Sequence, residues 1–183
     1  MRILDIVVAG IWIAFSVFWI AASVTTKATQ TRSASSVGVR IVIIVVFVGL
    51  IHGGIFKGHS TTIDNPFLQG FGVALFLLGI GLAVWARFYL GRNWGTPMSL
   101  KVDPELVTTG PYRYVRHPIY SGILLAMIGT TLAISLYWIA AVVLFGAYFI
   151  YSARVEERNM ERLFPDAYPA YKRSTKMLIP FIL

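Results

Sequence analysis

An all-α integral membrane helical bundle is the fold class this sequence predicts, and three observations predict it. The 183 residues are 57% hydrophobic and only 13% charged, with a mean hydropathy of +0.72, whereas a soluble domain carries about 25% charged residues. The apolar residues fall in runs long enough to cross a bilayer, which takes about 20 residues per helix. Fourteen of the sixteen Lys and Arg, all but Arg2 and Lys57, lie in three connections, 25–40, 87–117 and 154–176. The length suits a single domain. The absence of cysteine excludes disulfides, thiolate metal sites and a cysteine nucleophile. The net charge of +8 raises nucleic acid as a partner. The cations sit at helix ends rather than on one soluble face, so membrane topology explains them better and no nucleic acid is expected.

Taken in order, the elements are about five spans. The first covers 3–24; its apolar core is too long, and its amino-terminal flank too poor in cations, for a cleaved signal peptide. A polar, Ser/Thr-rich loop follows. The second span covers 39–56, with Gly49 and Gly53 four apart as in close helix packing. His52 near its end reads as a packed or interfacial residue. His59 and Asp64 stand too far from other ligand types to suggest a metal. The third span covers 67–90, with Arg87 in its last turn, either snorkelling to the interface or facing a polar cavity. Tyr89, Trp94 and Tyr114 suit interfacial anchors. The fourth and fifth spans, 118–133 and 136–153, are separated by Ile134-Ser135 alone, so they form a tight hairpin. Segment 154–176 is polar, with Val155, Met160, Leu163 and Phe164 as a loose helical stripe that Pro165 ends. With five spans the three cation-rich connections share one side. The positive-inside rule makes that side the cytoplasm.

The chemistry is concentrated in 106–122, LVTTGPYRYVRHPIYSG. Two cations (Arg113, Arg116), His117 and three phenols (Tyr112, Tyr114, Tyr120) lie there, together with Pro111 and Pro118. Proline fixes φ and donates no amide hydrogen bond, so Gly110-Pro111 reads as a turn and Pro118 as the first turn of the next helix. A basic loop beside a membrane helix accounts for the arginines but not for prolines, tyrosines and His117 together. The hairpin returns the chain to its starting side, bringing Arg154, Glu156 and Glu157 within reach of Tyr112, Arg116, His117 and Tyr120. Glu156 and Glu157 alone also suit a solvated helix face with ordinary i,i+3 pairs.

The 106–122 stretch, followed in the next polar segment by EERNMERLFPDAYPAYKRST and a closing IP, resembles the isoprenylcysteine carboxyl methyltransferase and phospholipid methyltransferase family. These are multi-span membrane enzymes that use S-adenosylmethionine. The resemblance covers roughly residues 85–180; no family signal is legible in the first two spans. The chain is therefore expected to be a single domain, 1–66 carrying two amino-terminal spans and 67–183 the catalytic core. The resemblance implies a cofactor site of Pro104, Glu105, Leu106, Val107, Tyr112, His117, Pro118, Ile119, Tyr120, Gly122, Glu156 and Glu157, and no metal. A substrate arginine stands just before the acidic pair in eukaryotic members. Ser152 aligns there without gaps, and Arg154, two residues later, is the candidate catalytic residue. The family's Phe-Gly is Phe164-Pro165 here. The implied function is methyl transfer to a lipophilic acceptor on the cytoplasmic face of a multi-pass membrane protein. The acceptor most resembles a prenylcysteine carboxylate, with a phospholipid amine or a small thiol as alternatives. A nicotinamide-dependent reductase related to sterol reductases is a more distant alternative. The acidic pair speaks against it, because a dinucleotide phosphate prefers cations. A non-enzymatic scaffold holding anionic lipid is the last.

Overall fold

The computed structural model describes residues 2–32 and 61–180, together with Gly38, Ile41, Val42 and Val45. Apart from those isolated positions, the span expected over 39–56, with Gly49, Gly53 and His52, lies outside the described residues, as does His59. The elements are α1 (Ile3–Ser23), β1 (Thr29–Arg32), α2 (Pro66–Leu90), β2 (Ser99–Lys101), α3 (Pro118–Ala133), α4 (Ile139–Leu163) and α5 (Ala167–Ser174), with single 3-10 turns at Gly91–Asn93, Gly110–Arg113 and Leu136–Trp138. The chain is an all-α membrane bundle. Among the described residues, three helical stretches, Ile3–Ser23, Pro66–Asn93 and Leu136–Leu163, are long and apolar enough to span.

α2 and α3 form the closest helix pair, and small residues make it close. Gly72 and Gly79 on α2 face Gly129 and Gly122 on α3, with Ala83, Ala126 and Ala133 completing the seam. A Cβ on Gly122 would lie 2.6 Å from the Ala83 amide nitrogen, and one on Gly72 would lie 2.5 Å from that of Ala133. In lipid, where tails are as apolar as Leu, such backbone approach is a main source of helix association. α3 has 16 residues, about 24 Å of helix, short of a ~30 Å hydrocarbon core. Burial along α2 compensates. α1 joins through Trp12, whose indole N–H donates to Thr130 Oγ1 at 3.1 Å.

The helix ends are secured by polar groups. The Asn65 side chain accepts from the amides of Phe67 and Leu68, and Pro66 occupies the first turn of α2. Two of the orphan amide donors at the α2 start are thereby satisfied. Near the start of α1, Arg2 donates to the carbonyls of Ile63 (2.8 Å) and Ile134 (2.9 Å). At the opposite end, Arg87 neither snorkels nor enters a cavity. It is 4% exposed and donates to the carbonyls of Gly91 and Ala22, with its guanidinium 5.1 Å from the Trp94 ring centre. It thus ties the carboxyl-terminal ends of α1 and α2 together.

Two features differ from the sequence reading. β1 pairs antiparallel with β2, Thr29 opposite Lys101 and Arg32 opposite Ser99, where only a loop is expected; three- and four-residue strands are too short for a period-two signal. α4 runs unbroken from the fifth span to Leu163, so the span and the polar helix expected after it are one rod about 37 Å long. Its last turns lift Glu156 and Glu157 beyond the apolar run. Phe164 leaves the helix directly before Pro165, as proline requires of the preceding residue.

Candidate active site

The stretch 106–117 is shaped by local rules. Gly110 has φ 59°, and a Cβ there would strike the Tyr89 ring, so glycine is needed on both counts. Pro111 and Pro118 open the 3-10 turn and α3 and are fully buried. The carboxyl-terminal tail then clamps the loop. The amides of Arg116 and His117 donate to the carbonyls of Lys176 (2.8 Å) and Met177 (3.0 Å). Ser121 Oγ donates to Leu178 O at 2.6 Å, and the Tyr171 hydroxyl to Tyr112 O at 2.6 Å.

Between this loop, α4 and α5 lies a cavity of about 230 Å³. Eight of the sequence candidates line it: Glu105, Leu106, Val107, Tyr112, His117, Ile119, Tyr120 and Glu156. A second cavity, about 420 Å³, shares Trp19 and Trp94 with the first and is lined also by Lys27 and Lys101. Lys27 Nζ bridges to Glu105 Oε1 at 2.8 Å, joining the amino-terminal segment to the wall of the first.

The remaining candidates fall outside the cavity lining. Pro104 is half-buried beside it. Pro118 packs within the bundle, and Gly122 faces α2 as a packing residue. Arg154 is exposed and does not line the cavity, because side chains two apart on a helix point about 200° from each other, and Glu156 takes the cavity side. Ser152 is fully buried, with no hydrogen-bond partner for its hydroxyl among the described residues.

The acidic pair divides. Glu156 keeps 25% of its side chain exposed and turns toward the cavity. Its Oε1 accepts from the Tyr120 hydroxyl (2.6 Å) and the Met98 amide (2.9 Å). Its Oε2 stands 3.5 Å from His117 Nδ1. Met98 makes that contact from the left-handed region, at φ 62°. Glu157, one residue and 100° onward, is 3% exposed. It meets Arg116 Nε at 2.7 Å, Lys172 Nζ at 3.1 Å and His117 Nε2 at 3.5 Å. His117 therefore sits between two carboxylates, stacked at 5.5 Å on Tyr120, which stacks at 4.5 Å on Phe149. Burial pushes the imidazole pKa down, but Glu156 and Glu157 outweigh it and hold it above its ordinary value. Burial raises the Tyr112 and Tyr168 phenols and lifts Tyr171 to about 12, so all three stay neutral donors.

Several wall residues have no sequence signal. Trp19 is one aromatic in a uniformly apolar span, and Met98, outside the lining, reaches Glu156 only through its backbone N–H. Tyr168 and Tyr171 carry a signal, being the two tyrosines of the FPDAYPAY run within the EERNMERLFPDAYPAYKRST segment.

A family model for phospholipid methyltransferases matches residues 68–167. The chain belongs to this family of integral membrane methyltransferases. Among proteins similar to it, the nickel-cobalt-cadmium resistance protein NccN of Alcaligenes xylosoxydans xylosoxydans is 30% identical over 77% of this chain and 62% of its own length. A methanethiol S-methyltransferase of a Pseudomonas species is 27% identical over 64% of this chain and 48% of its own. Protein-S-isoprenylcysteine O-methyltransferase B of Arabidopsis thaliana is 28% identical over 63% and 60%. The chain thus spans less than two thirds of the length of these relatives.

Proposed function

We propose that this protein is an S-adenosylmethionine-dependent methyltransferase whose donor occupies the 230 Å³ cavity and whose acceptor is lipophilic. The observation that carries the reading is Glu156, a cavity-facing carboxylate with one oxygen fixed by Tyr120 and Met98 and the other directed to His117 and the cavity. Such a group suits an ammonium. The fit extends to the rest of the lining. Leu106, Val107, Ile119 and Ile123 offer apolar surface to a nucleoside, and the phenols stay protonated as donors. Tyr120 and Phe149, both in the lining, offer aromatic faces that favour a cation. When bound, S-adenosylmethionine supplies an electrophilic methyl group. The residues bind and orient it and exclude water, and positioning of this kind supplies much of the rate.

We read 67–183 as the catalytic core, with Trp19 from the amino-terminal part in the cavity wall and Lys27 bracing Glu105 of that wall. The acceptor is taken to enter from the bilayer, with a prenylcysteine-like carboxylate first and a phospholipid amine or small thiol as alternatives. The test is transfer of a labelled methyl group from S-adenosylmethionine to each of the three acceptor types in vesicles. Label that mild base releases as methanol identifies a methyl ester. Stable label on the amine or thiol moves the assignment to that acceptor, and no transfer to any of the three contradicts the proposal.

We read the site as lying on the cytoplasmic face of a five-span protein, a reading the cation asymmetry supports. Reporter fusions at Leu183 and within 57–65 are expected to report opposite sides, cytoplasmic for Leu183. Same-side reporting would rule out that topology.

A further inference from the structure

Resting on the same reading of the cavity, we infer that Glu157 is a positioning residue: it holds His117, the 106–117 loop and the carboxyl-terminal tail in one ionic cluster and keeps the imidazole aimed at Glu156. The geometry argues for it. One buried carboxylate collects three cationic groups from two places in the chain. Arg116 and His117 come from the loop and Lys172 from α5, at 2.7, 3.5 and 3.1 Å. Arg116 also donates to the carbonyls of Lys172 and Thr175, so the same cluster fastens the tail. Glu157 lines no part of the cavity.

Each His117 nitrogen stands 3.5 Å from a different carboxylate. Among the described residues the buried Nε2 has no hydrogen bond of good geometry, so its attraction to Glu157 rests largely on charge and is strongest when the ring is protonated. With Nε2 anchored on Glu157, Nδ1 is left to face Glu156, the group assigned to the cofactor ammonium. The charged and titratable groups about His117 are Glu156 and Glu157 from α4, Arg116 and Tyr120 from its own segment, and Lys172 on α5 beyond Glu157. Tyr112, Tyr168 and Tyr171 line the same cavity and do not ionise in the working range. The sign follows from a raised imidazole pKa. The imidazolium's own contribution to stability is fully present just below the ordinary histidine value of 6.5 and is lost as pH rises through the raised folded value.

The experiment is a ¹⁵N-imidazole NMR titration of the cofactor-free protein in detergent, with His117 assigned by its absence in His117→Gln. His117 of the parent is expected to titrate above 6.5. Glu157→Gln removes one of the two anions and should move that titration down by about one pH unit or more. Lys172→Gln, at a half-exposed position that tolerates change, removes a cation behind Glu157 and should move it up. General damage to packing cannot shift one titration in opposite directions. Glu161→Gln, which takes only the exposed partner of Lys172, should move it little. An unchanged His117 titration in Glu157→Gln, or a downward shift in Lys172→Gln, overturns the assignment. Because no ligand is present, a failed positioning role and a failed methyltransferase reading are distinguishable.

Discussion

Glu156→Gln is expected to lower affinity for S-adenosylhomocysteine by two orders of magnitude or more. The carboxylate is preorganised before any ligand arrives, because the Tyr120 hydroxyl and the Met98 amide fix one oxygen. Removing one partner of a desolvated ion pair costs about 3–5 kcal/mol, against roughly 0–1 for an exposed pair, and each ~1.4 kcal/mol is a factor of ten. A glutamine preserves size and one carbonyl acceptor but not the charge. It also places an amide among groups arranged to donate, Tyr120 and the Met98 N–H. Calorimetry in detergent reads the result directly. A change smaller than about fivefold would mean that the ammonium lies elsewhere. Arg154→Ala, by contrast, is expected to leave cofactor affinity within about twofold, since Arg154 is exposed on another side of the same helix.

The second large effect concerns the α2–α3 seam. Gly122→Val is expected to destabilise the bundle by about 3 kcal/mol or more, above the usual 1–3 for overpacking. The obstacle is backbone rather than a movable side chain: the new Cβ would meet the Ala83 amide nitrogen at 2.6 Å and the Gly79 carbonyl at 2.7 Å. The helices would have to separate, and α3 would carry His117 and Tyr120 with it. The expected readout is a marked fall in the thermal midpoint in detergent. Gly81→Val, at a glycine with nothing within 4 Å of the added Cβ, should change it little. Equal stability of parent and Gly122→Val would mean that the seam is looser than described.

These two residues show where the sequence was informative. Hydropathy and punctuation placed the helices well: the expected 3–24 and 67–90 appear as Ile3–Ser23 and Pro66–Leu90, and Ser135 does separate α3 from the next 3-10 turn. Those signals are local, because burial in lipid is written residue by residue. The site was legible as far as it is local too. The loop from Glu105 to Tyr120, with its prolines, contributes seven of the cavity-lining candidates. What the sequence does not carry is direction. Glu156 and Glu157 are identical in type and adjacent, and only the pitch of α4 sends one to the cavity and the other into an ion cluster. Gly122 lies within the same motif as Tyr120, yet helical pitch turns it toward α2. The ties from afar, Lys27 to Glu105, Arg87 to Ala22 and β1 to β2, join residues about 65 or more positions apart. No periodicity reports such contacts.

The central claim is that the cavity beside Glu156 receives S-adenosylmethionine. Calorimetry of the parent protein in detergent, with S-adenosylhomocysteine and NADPH titrated side by side, tests it most directly. Saturable binding of S-adenosylhomocysteine that Glu156→Gln abolishes, with no heat from NADPH, is the predicted result. Binding of NADPH without S-adenosylhomocysteine, or S-adenosylhomocysteine binding that Glu156→Gln leaves intact, would contradict it.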